Sequence, residues 1–182
     1  FDAVVQAETG YMAMTGEETA APSMAGTVIL DYATGLNITI GILAALLSRV
    51  KSGEGRVIET SLAESALSMT MGGIPDYYLN GNDLDRIGNR DRFTAPANTF
   101  KAKDGYIHIM AGTNDRFEKL LKIIGKEALI KNPKFSDIQS RLENINELED
   151  IILDWTENDY ISNISGSLTE SGIPWGIVRS LG

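Results

Sequence analysis

Between Gly26 and Gly53 the chain carries one long apolar stretch that opens on a single carboxylate. It begins Gly26-Thr27-Val28-Ile29-Leu30-Asp31-Tyr32-Ala33-Thr34-Gly35 and continues through Leu36, Ile38, Ile40, Ile42, Leu43, Leu46 and Leu47 to Val50. This pattern predicts a helix over 32–51. Its apolar residues fall on nearly every face, so the expected place is a buried, central one. Gly35 and Gly41 each cost such a helix about 1 kcal/mol against alanine, which points to close approach of a neighbouring element or a ligand. Ser52-Gly53-Glu54-Gly55 reads as the helix stop.

The inventory of reactive groups is short. There is no cysteine and one histidine, His108. Nucleophile systems of the Ser-His and Cys-His kind, and zinc sites built from His and Cys, lack their parts. A carboxylate is then the best remaining nucleophile, and Asp31 is the best placed. Its plainer reading is a helix N-cap. The two readings are compatible, because the positive end of a helix favours the ionised carboxylate. A net charge of −9 argues against nucleic acid and anionic membrane surfaces. An anionic ligand would need basic groups gathered locally. The absence of cysteine fits a reducing, cytoplasmic compartment. No signal peptide is visible. The run 36–50, interrupted by Asn37, Thr39, Ser48 and Arg49, falls short of the roughly 18 residues of a spanning helix. Both ends read as cuts through a longer protein.

Elsewhere the pattern predicts a helix over 2–14, a loop over 15–25, a strand over 56–60 and a second long helix over 61–79. Ser61 and Glu64 have the spacing of a capping box. The segment 80–96 is polar and irregular. Strands at 99–102 and 106–110 flank a Lys103-Asp104-Gly105 turn. Helices at 114–124, 126–131, 137–143, 145–156 and 160–171 and a strand at 175–178 complete the chain. The expected organisation is a core segment, 1–96, carrying Asp31, followed by an α+β subdomain, 97–182.

Several sequence features have ordinary structural readings. Gly53-Glu54-Gly55-Arg56 lies between a helix and a strand, the reverse of a phosphate loop, and reads as a turn. His108 reads as a strand residue. Arg86, Arg90 and Arg92 read either as a solvated loop or as an anion contact. The acidic residues Glu143, Glu147, Glu149, Asp150 and Asp154 read as a solvated helical face.

Taken in order, the chain resembles the family III CoA-transferases, the group of formyl-CoA transferase, carnitine CoA-transferase and the bile-acid-inducible transferases. The matching pieces are Phe1 to Ala7, Thr15-Gly16, Leu30 to Gly35, Gly41 to Leu46, Ser52 to Arg56 running into Thr60-Ser61-Leu62, and Arg86-Ile87-Gly88-Asn89. They continue with Ala95-Pro96 before Phe100, Lys103-Asp104-Gly105, Asn132 to Phe135 and Gly172-Ile173-Pro174. The resemblance implies an α/β fold: a partial Rossmann-like core with long buried helices and a smaller α+β subdomain. It implies acyl-CoA:carboxylate CoA-transfer with Asp31 as nucleophile, through a mixed anhydride and an aspartyl-CoA thioester. It implies coenzyme A thioester as a substrate and no permanently bound cofactor or metal, a carboxylic acid as acceptor, and an interlocked homodimer. Asp2 and Gln6 match positions lining the same site, Leu62 one that contacts CoA, and Gly88, Asn89 and Arg90 the loop over the acyl group. The run of glycines found there in formyl-CoA transferase is missing. Family members have about twice this length, so the chain is expected to be a central fragment that binds CoA weakly and self-associates. Two alternatives stay open: a catalytically silent remnant, and a 2-methylacyl-CoA racemase. The racemase reading lacks its histidine, since Phe1 holds that place.

Overall fold

The computed structural model of the chain describes residues 1–70 and 73–182. They form two compact units, Phe1–Gly88 and Asn89–Gly182. The division falls eight residues before the 96/97 boundary expected from the sequence.

The first unit is helical: α1 (Asp2–Glu8), α2 (Ile29–Ser52), α3 (Leu62–Met69) and α4 (Gly73–Asn80). The helix expected over 2–14 stops at Glu8, because Gly10 turns the chain with a φ of 78°. α2 ends as expected: Gly53 adopts the left-handed conformation and its N–H reaches the Arg49 carbonyl. At α3, Ser61 Oγ accepts the Glu64 N–H and Glu64 Oε2 accepts the Ser61 N–H, the expected capping box. The single helix expected over 61–79 is two helices, and Met71, inside that expected span, lies outside the described residues. The expected strand over 56–60 is not a strand: the segment has no regular secondary structure and pairs with nothing in the sheet.

α2 departs most from expectation. Only Leu30 is buried, whereas Leu36, Ile40 and Leu47 are each about two-thirds exposed. Within this chain α1 and α3 are the helices packed on it, and they cover one side. Ile58 approaches Gly41 so closely that a Cβ there would sit 2.8 Å from Ile58 Cγ2, as expected of that glycine, while Gly35 faces open space. The helix is also longer than the interrupted run suggested. By length and composition alone it could cross a membrane, its most apolar 18-residue window having a mean hydropathy of 1.6. The interruptions are absorbed locally: Thr39 Oγ1 donates to the Gly35 carbonyl and Asn37 Nδ2 to Ser65 Oγ on α3.

The second unit pairs β1 (Ala97–Ala102), β2 (Gly105–Met110) and β3 (Trp175–Ile177) in one antiparallel sheet of order β1-β2-β3. Ala102 pairs with Gly105, so Lys103 and Asp104 form the expected hairpin turn. Between β2 and β3 come α5 (Asn114–Ile123), short 3₁₀ turns at Glu127–Lys131 and Pro133–Phe135, α6 (Ile138–Glu143), α7 (Ile145–Thr156) and α8 (Ile161–Glu170). The helices present apolar residues three and four apart to one core: Phe117, Leu120 and Leu121 from α5, Leu148 and Ile152 from α7, Ile161, Ile164 and Leu168 from α8. β2 supplies Ile107 and Ile109 from its inward face. His108, a strand residue as expected, points the other way, with Nδ1 3.0 Å from Thr99 Oγ1. The molecule is thus a mixed α and β fold with a small antiparallel sheet.

Candidate active site

Asp31 lies in the first turn of α2, three residues past the N-cap and not at the cap position expected of it. The N-cap is Val28, whose side chain bonds nothing. Asp31 is exposed and borders a shallow depression with Val28, Tyr32, Gly35 and Leu36. A carboxylate here has the helix's partial positive end close by and room for an approaching acyl group.

Asp2 and Gln6 meet this helix start from below. Both are buried. Asp2 Oδ1 accepts the Leu30 N–H at 2.8 Å. Its Oδ2 accepts a hydrogen bond from Gln6 Nε2. Gln6 Oε1 in turn accepts the Ala25 N–H at 2.9 Å. The structure therefore brings three of the sequence-derived residues together: Asp2 and Gln6 directly, and Asp31 through the neighbouring peptide of Leu30. Leu62, half-buried, is the first residue of α3, which packs on α1 and α2.

The loop residues straddle the boundary between the two units. Gly88 belongs to the first unit, with φ 63° and its N–H on the Gly16 carbonyl, and a Cβ there would meet the Glu17 carboxylate. Asn89 and Arg90 belong to the second unit. Arg90 is bound by Glu149 through Nε and Nη2, the latter at 2.6 Å, and by Asn146 Oδ1. Asn98 Nδ2 completes the cage on Glu149. Glu149 is thus no member of a solvated acidic face. Arg86 also serves the fold: its guanidinium donates to the carbonyls of Ala13, Glu17, Glu18 and Ala20, tying down the 13–20 turn. A local cationic site for a phosphate is therefore not what Arg86 and Arg90 provide.

A larger cavity of about 570 Å³ lies elsewhere in the first unit. Its walls are the Thr9–Met14 turn and α4, including Tyr77 and Tyr78, and Asp31 is not among them. Among the described residues, no three of His, Cys, Asp and Glu gather to hold a metal ion. Sequence reasoning missed Arg141, fully buried on α6 among backbone carbonyls. It also missed that Asp2 supplies the bond that Val28 cannot. The one available signal was Val28 itself, an apolar residue where a helix start favours Ser, Thr, Asp or Asn.

The family model described as CoA-transferase family III matches residues 1–182. Human succinyl-CoA:glutarate CoA-transferase is 32% identical over 181 residues, covering all of this chain and 41% of that protein. Succinyl-CoA–D-citramalate CoA-transferase of Chloroflexus aurantiacus is 31% identical over 177 residues, 97% of this chain and 44% of the relative. Among solved structures, a CAIB/BAIF family protein from Brucella suis superposes with a TM-score of 0.85 at 28% identity, over 100% of this chain and 48% of that one. The chain spans a little under half the length of these proteins. A match that runs from the first residue to the last, reproduced in three dimensions, places this chain in the CoA-transferase family III.

Proposed function

We propose that the protein carrying this chain transfers CoA from a dicarboxylic acyl-CoA, of the succinyl-CoA type, to a second carboxylic acid, with Asp31 as the nucleophile. The observation that carries the reading is the place of Asp31: exposed in the first turn of α2, beside an apolar depression, on a helix start fixed from behind by Asp2 and Gln6. The succinyl-CoA element rests on the named activities of the relatives.

The proposed chemistry balances without an external energy source. The Asp31 carboxylate attacks the thioester carbonyl, and the C–S bond breaks to give an acyl-aspartyl anhydride and CoA thiolate. The thiolate attacks the aspartyl carbonyl, releasing the first acid and leaving an aspartyl-CoA thioester. The acceptor carboxylate attacks that thioester, and the same two steps run in reverse. Each step exchanges one activated acyl bond for another, so the role left to the protein is positioning and exclusion of water. A homodimer is part of this proposal, by resemblance to the family. No observation favours the racemase alternative: His108 is a strand residue of the second unit, hydrogen-bonded to Thr99.

The test is intact mass of the family-length protein after incubation with succinyl-CoA, with peptide mapping of the adduct. A CoA thioester on Asp31 is expected. Asp31→Ala should abolish the adduct and lower turnover more than about 100-fold. As Asp31 is not the cap, its loss should cost only about 0.5 kcal/mol of helix stability. Retention of more than about 1% of turnover by a folded Asp31→Ala protein would refute the assignment.

A further inference from the structure

We infer that Asp2 and Gln6 are positioning residues, a buried pair that acts on the reaction only by capping the helix that presents Asp31. The inference rests on the proposed role of Asp31. α2 begins without a side-chain cap of its own, since the side chain of Val28 has no group to accept an N–H. The missing acceptor comes from a residue 28 positions earlier: Asp2 Oδ1 takes the Leu30 N–H, one peptide before Asp31. Gln6 fixes the orientation of that carboxylate. Its amide must donate to Asp2 Oδ2 while its carbonyl accepts from Ala25, so one amide orientation satisfies both. The pair thus pins the approach to α2 at Ala25 and the first turn of α2 at Leu30.

Burial decides between this role and a chemical one. Asp2 is 5% exposed, Gln6 is 0% exposed, and each Asp2 oxygen already has a partner. A carboxylate engaged on both oxygens, beneath the helix, is poorly placed to exchange protons with a substrate. The same device occurs where no reaction is proposed. Tyr160 gives α8 no side-chain cap, and Asp104 Oδ1, from the hairpin turn, accepts the Ile161 N–H at 2.9 Å. That second borrowed cap supplies an internal control.

The experiment compares three variants with the parent in the family-length protein: Asp2→Ala, Asp2→Asn with Gln6→Glu, and Asp104→Ala. The double variant moves the negative charge from residue 2 to residue 6 yet keeps every bond. The new amide still accepts from Leu30 and donates to the new carboxylate, which still accepts from Ala25. Turnover is scored per folded site, and amide hydrogen exchange is read over residues 29–32. Asp2→Ala should lower kcat by about 30-fold, leave KM for succinyl-CoA within about twofold, and speed exchange at 29–32 by about tenfold. The double variant should stay within about fivefold of the parent in kcat and unchanged in exchange. Asp104→Ala should speed exchange at the start of α8 and leave kcat unchanged. A double variant as inactive as Asp2→Ala would show that Asp2 works chemically and overturn the inference. So would unchanged exchange at 29–32 in Asp2→Ala, or an equal kcat loss in Asp104→Ala. A parent protein with no transfer activity sinks the proposed function and the catalytic meaning of the pair with it. The exchange arm then still decides whether Asp2 caps α2.

Discussion

Replacing Arg141 by leucine should be among the most damaging single changes in the second unit. The side chain is fully buried on α6. Its Nε donates to the Ala95 carbonyl at 2.6 Å, Nη1 to Phe135 at 3.2 Å and Nη2 to both Gly112 and Asn114 Oδ1 at 2.9 Å. Its guanidinium carbon stands 4.6 Å from the centre of the Phe117 ring. Burial pushes the guanidinium's pKa down, and the nearby Asp137 charge opposes that shift. An arginine nevertheless stays cationic at neutral pH. Leucine fills part of the space but leaves three backbone carbonyls without their donor. At the low end for charged hydrogen bonds, about 1.5 kcal/mol each, the loss comes to about 4.5 kcal/mol. Against a domain stability of about 5–15 kcal/mol this removes much of the margin. Lysine keeps the charge but not the planar fork, and should cost about half as much. Both tryptophans, Trp155 and Trp175, lie in this unit against its core, so urea unfolding followed by their fluorescence reports on it alone. A loss below about 1.5 kcal/mol for Arg141→Leu would refute the view that these carbonyls depend on the guanidinium.

The same fluorescence reads two further changes. Asp137 caps α6; the Ser140 N–H, then the Ser136 and Ser140 hydroxyls, hold its carboxyl below the ordinary carboxylate value. A carboxyl with a lowered folded pKa stabilises fully above its unfolded value of about 4 and loses that contribution as pH falls through the folded one. Urea midpoints should therefore decline below about pH 4, and Asp137→Asn should flatten that limb; an unchanged slope would contradict the assignment. Gly112→Ala would put a Cβ 2.4 Å from Thr94 Cβ and 3.3 Å from the Ala95 nitrogen. The overpacking should cost about 2 kcal/mol, and a variant as stable as its parent would show that the Thr94 segment yields freely.

What could be read from the sequence was local. The hairpin at Lys103-Asp104-Gly105, the capping box at Ser61 and Glu64 and the stop at Gly53 each depend on residues within a few positions, and each stands as read. The helices of the second unit match to within a residue or two at most ends, because their apolar spacing faces a core made by this unit itself. What could not be read was set by residues far apart. Asp31 lies inside the first turn and not at the cap, because the capping atom belongs to Asp2. Arg86 and Arg90 look alike in a polar loop, yet one holds carbonyls of the 13–20 turn and the other Glu149. Arg141 carries no periodic signature of burial; only folding shows the carbonyls converging on it. The exposure of α2 is illegible for the converse reason: a helix apolar on nearly every face implies burial, but a sequence pattern does not say which elements do the burying.

The outward face of α2 repeats Leu36, Ile40, Leu43, Leu47 and Val50, all exposed, at alternating steps of four and three along a rod of about 36 Å. Set against a net charge of −9, this face gives the 182-residue chain an unusual colloidal character. Two copies repel through charges that act over about 30 Å in 10 mM salt but only about 8 Å in 150 mM salt. The attraction between their apolar stripes is untouched by that screening. The chain is accordingly expected to stay dispersed in dilute buffer and to associate on added salt, the reverse of a protein whose association rests on ion pairs. Its behaviour on purification is thus a direct readout of how much of α2 is covered.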